Sequence, residues 1–122
     1  MPRIMVVDDE QDIIDSVKEI LKMEGYEAVG VTSGGECLRE LEKNPVDLIL
    51  MDFFMPEMDG RIVIEKIREN PRLKNIKIAF LTSATFKKRG IETLKELNVS
   101  DYIMKPIEVE DFTSRVRKII GE

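Results

Sequence analysis

Five short apolar runs, each followed by a stretch of helical period, constrain this chain more than any other feature. The runs are Ile4-Met5-Val6-Val7, Tyr26-Glu27-Ala28-Val29-Gly30-Val31, Leu48-Ile49-Leu50-Met51, Ile78-Ala79-Phe80-Leu81 and Tyr102-Ile103-Met104. Strand-length runs alternating with amphipathic helices are the pattern of a parallel sheet covered by helices on both faces. The expected strands lie near residues 3–8, 26–31, 46–51, 76–82 and 100–104, and the expected helices near 11–24, 34–43, 60–69, 86–97 and 108–120. In the helices, positions such as Ile14, Val17 and Leu21, or Val109, Phe112, Val116 and Ile120, recur at intervals of three and four. The second run is the most polar, which suits an edge strand. Gly25, Asn44-Pro45, Asn70-Pro71 and Asn98 fall where helices should stop, and Ser33 where the second should be capped.

The residues that end these runs are the chemical content of the chain. Asp8 and Asp9 follow the first, Asp52 follows the third, Thr82-Ser83 the fourth and Lys105-Pro106 the fifth. Ligands of open α/β sheets collect at the carboxyl ends of the strands, so acids, a hydroxyl and an ammonium converge on one rim. An isolated Asp-Asp-Glu after a strand is also a good helix-capping turn, because Asp accepts backbone N–H bonds. Clustering of Asp8 and Asp9 with Asp52 argues for more: carboxylates ~4 Å apart repel by roughly 4 kcal/mol at an effective dielectric of 20, so they raise one another's pKa or hold a cation. Oxygen donors without His or Cys favour Mg²⁺. Three carboxylates and Lys105 carry a charge of −3 + 1 = −2, which one divalent ion neutralises. A phosphoryl group would then meet a metal, the Lys105 ammonium and the Thr82 hydroxyl, with Asp52 as the natural nucleophile.

Composition removes competing classes. A chain of 122 residues is one domain, taken as 1–122, with no output domain expected within it. The balance of 19 basic against 24 acidic residues, net −5, argues against direct nucleic-acid binding and favours protein partners. No histidine is present, which excludes histidine catalysis, histidine metal ligation and a phosphohistidine on this chain. The single Cys37, at helical spacing with Leu38 and Leu41, reads as a buried hydrophobe. No apolar stretch approaches the ~20 residues that span a bilayer. The first residues lack a signal-peptide pattern, so no membrane insertion and a cytoplasmic location are expected.

The motifs Asp8-Asp9, Asp52-Phe53-Phe54-Met55-Pro56-Glu57-Met58-Asp59-Gly60, Leu81-Thr82-Ser83-Ala84 and Tyr102-Ile103-Met104-Lys105-Pro106 together resemble the receiver domain of two-component response regulators, the CheY-like family. The resemblance covers essentially the whole chain. It implies a flavodoxin-like (βα)5 doubly wound fold with strand order 2-1-3-4-5, the order for which CheY itself is a standard example. In that order the tips of the first and third strands are neighbours. The resemblance further implies that Asp52 is the phosphoacceptor, that Asp9, Asp52 and the Phe54 carbonyl bind Mg²⁺ directly, and that Asp8 acts through water. Lys105 would pair with the phosphoryl oxygens, and its bond to Pro106 is expected to be cis. Thr82 and Tyr102 would switch, reporting phosphorylation at a surface of the fourth helix, fifth strand and fifth helix. The implied partners are a sensor histidine kinase or phosphotransfer protein and a downstream effector.

Met55-Pro56 through Asp59-Gly60 reads as a turn that starts the third helix, with Asp59 as its cap. The implied function is a phosphorylation-dependent signalling switch that catalyses its own modification and slow dephosphorylation, not an enzyme with turnover. An aspartate-nucleophile phosphohydrolase would place a second Asp two residues past the nucleophile, where this chain has Phe54. A receiver-like domain that is never phosphorylated would have lost an acid, the Thr or the Lys, and this chain keeps all of them. Phe54 and Ala84 stand where the family flanks the approach of hydrolytic water, and neither can orient it, so a long-lived acyl phosphate is expected.

Overall fold

The computed structural model describes residues 1–53, 60–83 and 96–121. Within them the chain runs β1 (Arg3–Val7), α1 (Gln11–Met23), β2 (Glu27–Val31), α2 (Gly34–Lys43), β3 (Leu48–Met51), α3 (Gly60–Glu69), β4 (Lys77–Ser83), β5 (Asp101–Lys105) and a C-terminal helix (Val109–Ile120). The five strands form one sheet in the order β2-β1-β3-β4-β5, every pair parallel. The expected strand order and the edge position of the most polar strand are therefore observed. Phe54, Met55-Pro56, Asp59 and Ala84 lie outside the described residues, as does most of the helix expected at 86–97.

Alternation along the strands divides the core in two. Met5, Val7, Ile49, Met51, Ile78 and Phe80 pack with Cys37 and Leu41 of α2 and with Val63, Ile64 and Ile67 of α3. Ile4, Val6, Leu48, Leu50, Ala79, Leu81 and Ile103 pack on the other face with Ile14, Val17 and Leu21 of α1 and with Phe112 and Val116 of the C-terminal helix. Successive strand residues point to opposite faces, so each central strand must be apolar at every position, and β3 is buried throughout.

Helix ends follow local chemistry. Ser33 caps α2 by accepting the Glu36 N–H at 3.1 Å, and Glu108 caps the last helix by accepting from Glu110 and Asp111. Gly25, at φ +89°, turns the chain from α1 into β2 in the left-handed region that glycine occupies without cost. Asn98, at φ +55°, makes the corresponding turn before β5. Cys37 is fully buried, and burial pushes its thiol up to about 12, so at neutral pH it is a packing residue.

One packing device escapes the sequence patterns. The Arg68 guanidinium, at the end of α3, donates to the carbonyls of Lys74, Ile76, Leu97 and Asn98 at 2.6 to 3.1 Å. Burial holds its pKa below the ordinary guanidinium value. A planar fork suits four fixed carbonyls, whereas an ammonium has three donors at one point. Arg68→Lys is therefore expected to lower the unfolding free energy by about 2 to 4 kcal/mol, since hydrogen bonds to charged groups contribute about 1.5 to 3 kcal/mol each and a lysine keeps only part of the set. Urea unfolding checks this, and an unchanged midpoint would contradict it.

Candidate metal and phosphoryl site

Strand parity assembles the site. Asp8 continues the row Ile4, Val6, Asp52 the row Leu48, Leu50, and Lys105 follows Ile103, all three rows belonging to the same face of the sheet. The register of β1 against β3 pairs Val7 with Met51, so Asp8 and Asp52 leave adjacent strands at the same level. Their backbones are fixed by the ladder as it runs out: the Asp52 N–H donates to the Val7 carbonyl at 2.9 Å and the Asp8 N–H to the Val31 carbonyl at 3.2 Å.

Asp8, Asp9 and Asp52 each offer a carboxylate oxygen within 4.8 Å of the others. Asp8 and Asp52 are buried and Asp9 is exposed. At that separation an unscreened pair repels by about 3 kcal/mol at an effective dielectric of 20, so the trio needs positive charge. Lys105 supplies part of it. Its Nζ lies 2.6 Å from Asp8 Oδ2 and 3.8 Å from Asp52 Oδ2. Burial alone would lower the lysine pKa, but the hydrogen bond to Asp8 and the charges of Asp52, Asp8 and Glu10 outweigh it and raise the pKa above its ordinary value. The expected cis bond between Lys105 and Pro106 is present.

The two neighbouring acids are employed differently. Asp8 Oδ1 accepts the Glu10 N–H at 2.9 Å while Oδ2 takes Lys105, so the turn-forming and site-forming roles coexist in one carboxylate. Asp9 has no hydrogen bond among the described residues and is open to an incoming cation. These donors fit a hard divalent ion: they are all oxygen, carry excess negative charge and sit at mixed exposure, which leaves room for retained waters. Asp8, Asp9 and Asp52 together would hold it. Phe54, expected to add its carbonyl, lies outside the described residues.

Thr82 and Tyr102 belong to the opposite parity. Thr82 follows Ile78 and Phe80, is fully buried, and its Oγ1 has no hydrogen-bond partner among the described residues. A buried hydroxyl without a partner is costly, so Thr82 keeps unused hydrogen-bonding capacity at the end of β4. Tyr102 is half-buried against the face that carries Phe80, and its hydroxyl donates to the Ser83 carbonyl at 3.3 Å. The structure thus brings Asp8, Asp9, Asp52 and Lys105 together and leaves Thr82 and Tyr102 on strands β4 and β5 beside them. Sequence reasoning missed that Lys105 bonds Asp8 in preference to Asp52. Nothing in the linear pattern distinguishes the two carboxylates as partners.

Comparison with known proteins decides the family. A family model described as the response regulator receiver domain matches residues 4–117. The chain belongs to this family. It is 30% identical over 120 residues to the response regulator SaeR of Staphylococcus aureus, covering 98% of this chain and 51% of SaeR. Against the sensory transduction protein RegX3 of Mycobacterium tuberculosis it is 29% identical with the same coverages. The receiver domain thus spans about half the length of these curated relatives. Among solved structures it is similar to the chemotaxis protein CheY4 of Vibrio cholerae, with a TM-score of 0.91 at 26% identity, covering 98% of each chain. It is also similar to a CheY-like receiver domain protein of Methanospirillum hungatei, with a TM-score of 0.89 at 29% identity, covering 99% of this chain and 94% of the other. No described helix of this receiver domain is long and apolar enough to cross a membrane.

The contact between Lys105 and Asp8 carries a pH signature. A lysine whose folded pKa is raised adds stability that is complete below its unfolded value, 10.5, and is lost as pH climbs through the higher folded value. Lys105→Met is expected to remove this component of the alkaline loss and, at pH 7 and without added metal, to destabilise the fold by about 3 to 5 kcal/mol through the carboxylate left uncompensated. Chemical denaturation of parent and variant between pH 7 and pH 11 tests both parts. An identical pH slope in the two proteins would refute the assigned contact.

Proposed function

We propose that this receiver domain is a phosphorylation switch in which Asp52 accepts a phosphoryl group from the phosphohistidine of a sensor kinase or phosphotransfer protein. The observation that carries the reading is the Lys105 ammonium held 3.8 Å from Asp52 Oδ2, beside two further acids that converge on the same point. A carboxylate oxygen of Asp52 attacks phosphorus, the P–N bond to the donor imidazole breaks as the P–O bond forms, and the leaving imidazole takes up a proton from solvent. Bound Mg²⁺ would supply the divalent charge that offsets the phosphoryl oxygens. Lys105, released from Asp8, pairs with one of those oxygens, and the buried Thr82 hydroxyl donates to another.

The domain has no separate substrate to turn over; it catalyses its own modification and its slow reversal, and it acts in the cytoplasm, where such kinases present their phosphohistidine. Movement of Thr82 vacates space that Tyr102 fills by changing rotamer, and the altered surface around β5 and the C-terminal helix gains or loses a protein effector. Asp9 serves as a direct metal ligand and Asp8 acts through water, which agrees with the open carboxylate of Asp9 and the two engaged oxygens of Asp8.

The test is the intact mass after incubation with acetyl phosphate. One phosphoryl group is expected on the parent with Mg²⁺ present, and none with the metal chelated or in Asp52→Asn, where an amide replaces the nucleophilic oxyanion. Phosphorylation that persists in Asp52→Asn would remove Asp52 from the mechanism.

A further inference from the structure

We infer that Gly60 is a positioning residue for the Asp52 carboxylate: the missing Cβ at the first residue of α3 is what allows the end of β3 to aim that carboxylate at the site. The inference rests on the reading of Asp52 as phosphoacceptor. Its basis is a close approach of backbone to backbone. A Cβ at position 60 would lie 2.8 Å from the Asp52 carbonyl oxygen and 2.9 Å from Phe53 Cα, with Met51 Cγ at 3.2 Å. The two tightest neighbours are main-chain atoms, which cannot rotate aside as a side chain can.

The surrounding hydrogen bonds determine where the displacement must go. The Asp52 N–H is held by the Val7 carbonyl at 2.9 Å, so the amide side of Asp52 is tied to β1. On the other side, the Gly60 N–H donates to the Phe53 carbonyl at 2.7 Å, which clasps the start of α3 to the chain immediately after Asp52. Between these anchors lies the Asp52–Phe53 peptide, against which Gly60 is seated. Buried residues brace the same region from below, with the Phe53 ring edge-on to Phe80 at a centroid distance of 5.4 Å. A methyl group at 60 therefore either rotates that peptide or lifts α3 from the strand. In both cases the Asp52 side chain is redirected relative to Lys105 Nζ and to the other two acids.

Placement matters because the site works by geometry. The three carboxylates share one cation only while their oxygens stay within 4.8 Å of one another. Nucleophilic attack is equally sensitive, since a misplacement of about 1 Å can cost on the order of a hundredfold in rate.

The experiment compares Gly60→Ala with Arg68→Lys, both in the full chain. Arg68 lies on the same helix at its far end, so its loss weakens packing without touching the Asp52 peptide. Folding is followed by circular dichroism and urea unfolding, Mg²⁺ affinity by titration with the metal alone, and phosphorylation as the rate with acetyl phosphate at saturating Mg²⁺. All are measured at a temperature where each protein is fully folded, with trimethylamine N-oxide added where needed. Gly60→Ala is expected to weaken Mg²⁺ binding at least about threefold and to slow phosphorylation at least about tenfold, while Arg68→Lys keeps both at parental values despite its lower stability. Parental affinity and rate in folded Gly60→Ala would overturn the inference, as would an equal loss in Arg68→Lys. A Gly60→Ala chain that does not fold even in the osmolyte also counts against it, because Gly60 would then be required by the fold and not by the site. Phosphorylation of the parent, absent in Asp52→Asn, is the internal reference, and its failure would refute the acceptor assignment instead.

Discussion

The ammonium of Lys105 is the contact on which the site depends. It reaches from the edge strand β5 over the tips of β4 and β3 to Asp8, beyond β1, and closes to 2.6 Å. Two of the three clustered carboxylates are buried. Without a cation their repulsion would be several kcal/mol, a large share of the 5 to 15 kcal/mol by which a domain of this size is stable. The fold therefore tolerates this concentration of negative charge because its own fifth strand carries a counterion to the spot. On the proposed reading the same arrangement would make the site responsive, since a divalent ion and a phosphoryl group would offer Asp8 and Lys105 alternative partners.

Fold and chemistry are joined by the arithmetic of the strand. A period of two carries Asp8, Asp52 and Lys105 onto one face beyond the apolar rows that bury beneath α1 and the C-terminal helix. Thr82 and Tyr102 take the other parity and sit on the face covered by α2 and α3. Asp8, Asp52 and Lys105 thus share a face, and Thr82 and Tyr102 share the opposite one. A one-residue slip in β3 would exchange Asp52 for Phe53 and bury the wrong side chain. The backbone bond from the Asp52 N–H to the Val7 carbonyl secures that register at the point where it matters.

Much of this was legible in the linear pattern because it depends on local rules. Observed strand ends lie within two residues of those expected, α3 spans the expected residues, and the Ser33 cap and the left-handed turns at Gly25 and Asn98 occur where their chemistry asks for them. The resemblance supplied strand order, which composition and periodicity do not contain. What stayed hidden was tertiary. Arg68 reads as a cation in the last turn of a helix, a favourable place for one. That its guanidinium would gather carbonyls from residues 74, 76, 97 and 98 depends on two separate segments brought together only by the finished fold. Likewise Gly60 reads as part of a turn. Its approach to the Asp52 carbonyl follows from how α3 lies against β3.

The central claim is that the acids ending β1 and β3 form one cation site whose charge is shared with Lys105. Crystals grown with Mn²⁺, a hard divalent ion with anomalous scattering, test it most directly. The account predicts a single anomalous peak at the carboxyl edge of the sheet, in contact with carboxylate oxygens of Asp9 and Asp52, with Asp8 one water removed and Lys105 outside the coordination sphere. A peak elsewhere on the surface, or Asp8 bound to the ion while Asp9 stays in solvent, would contradict it.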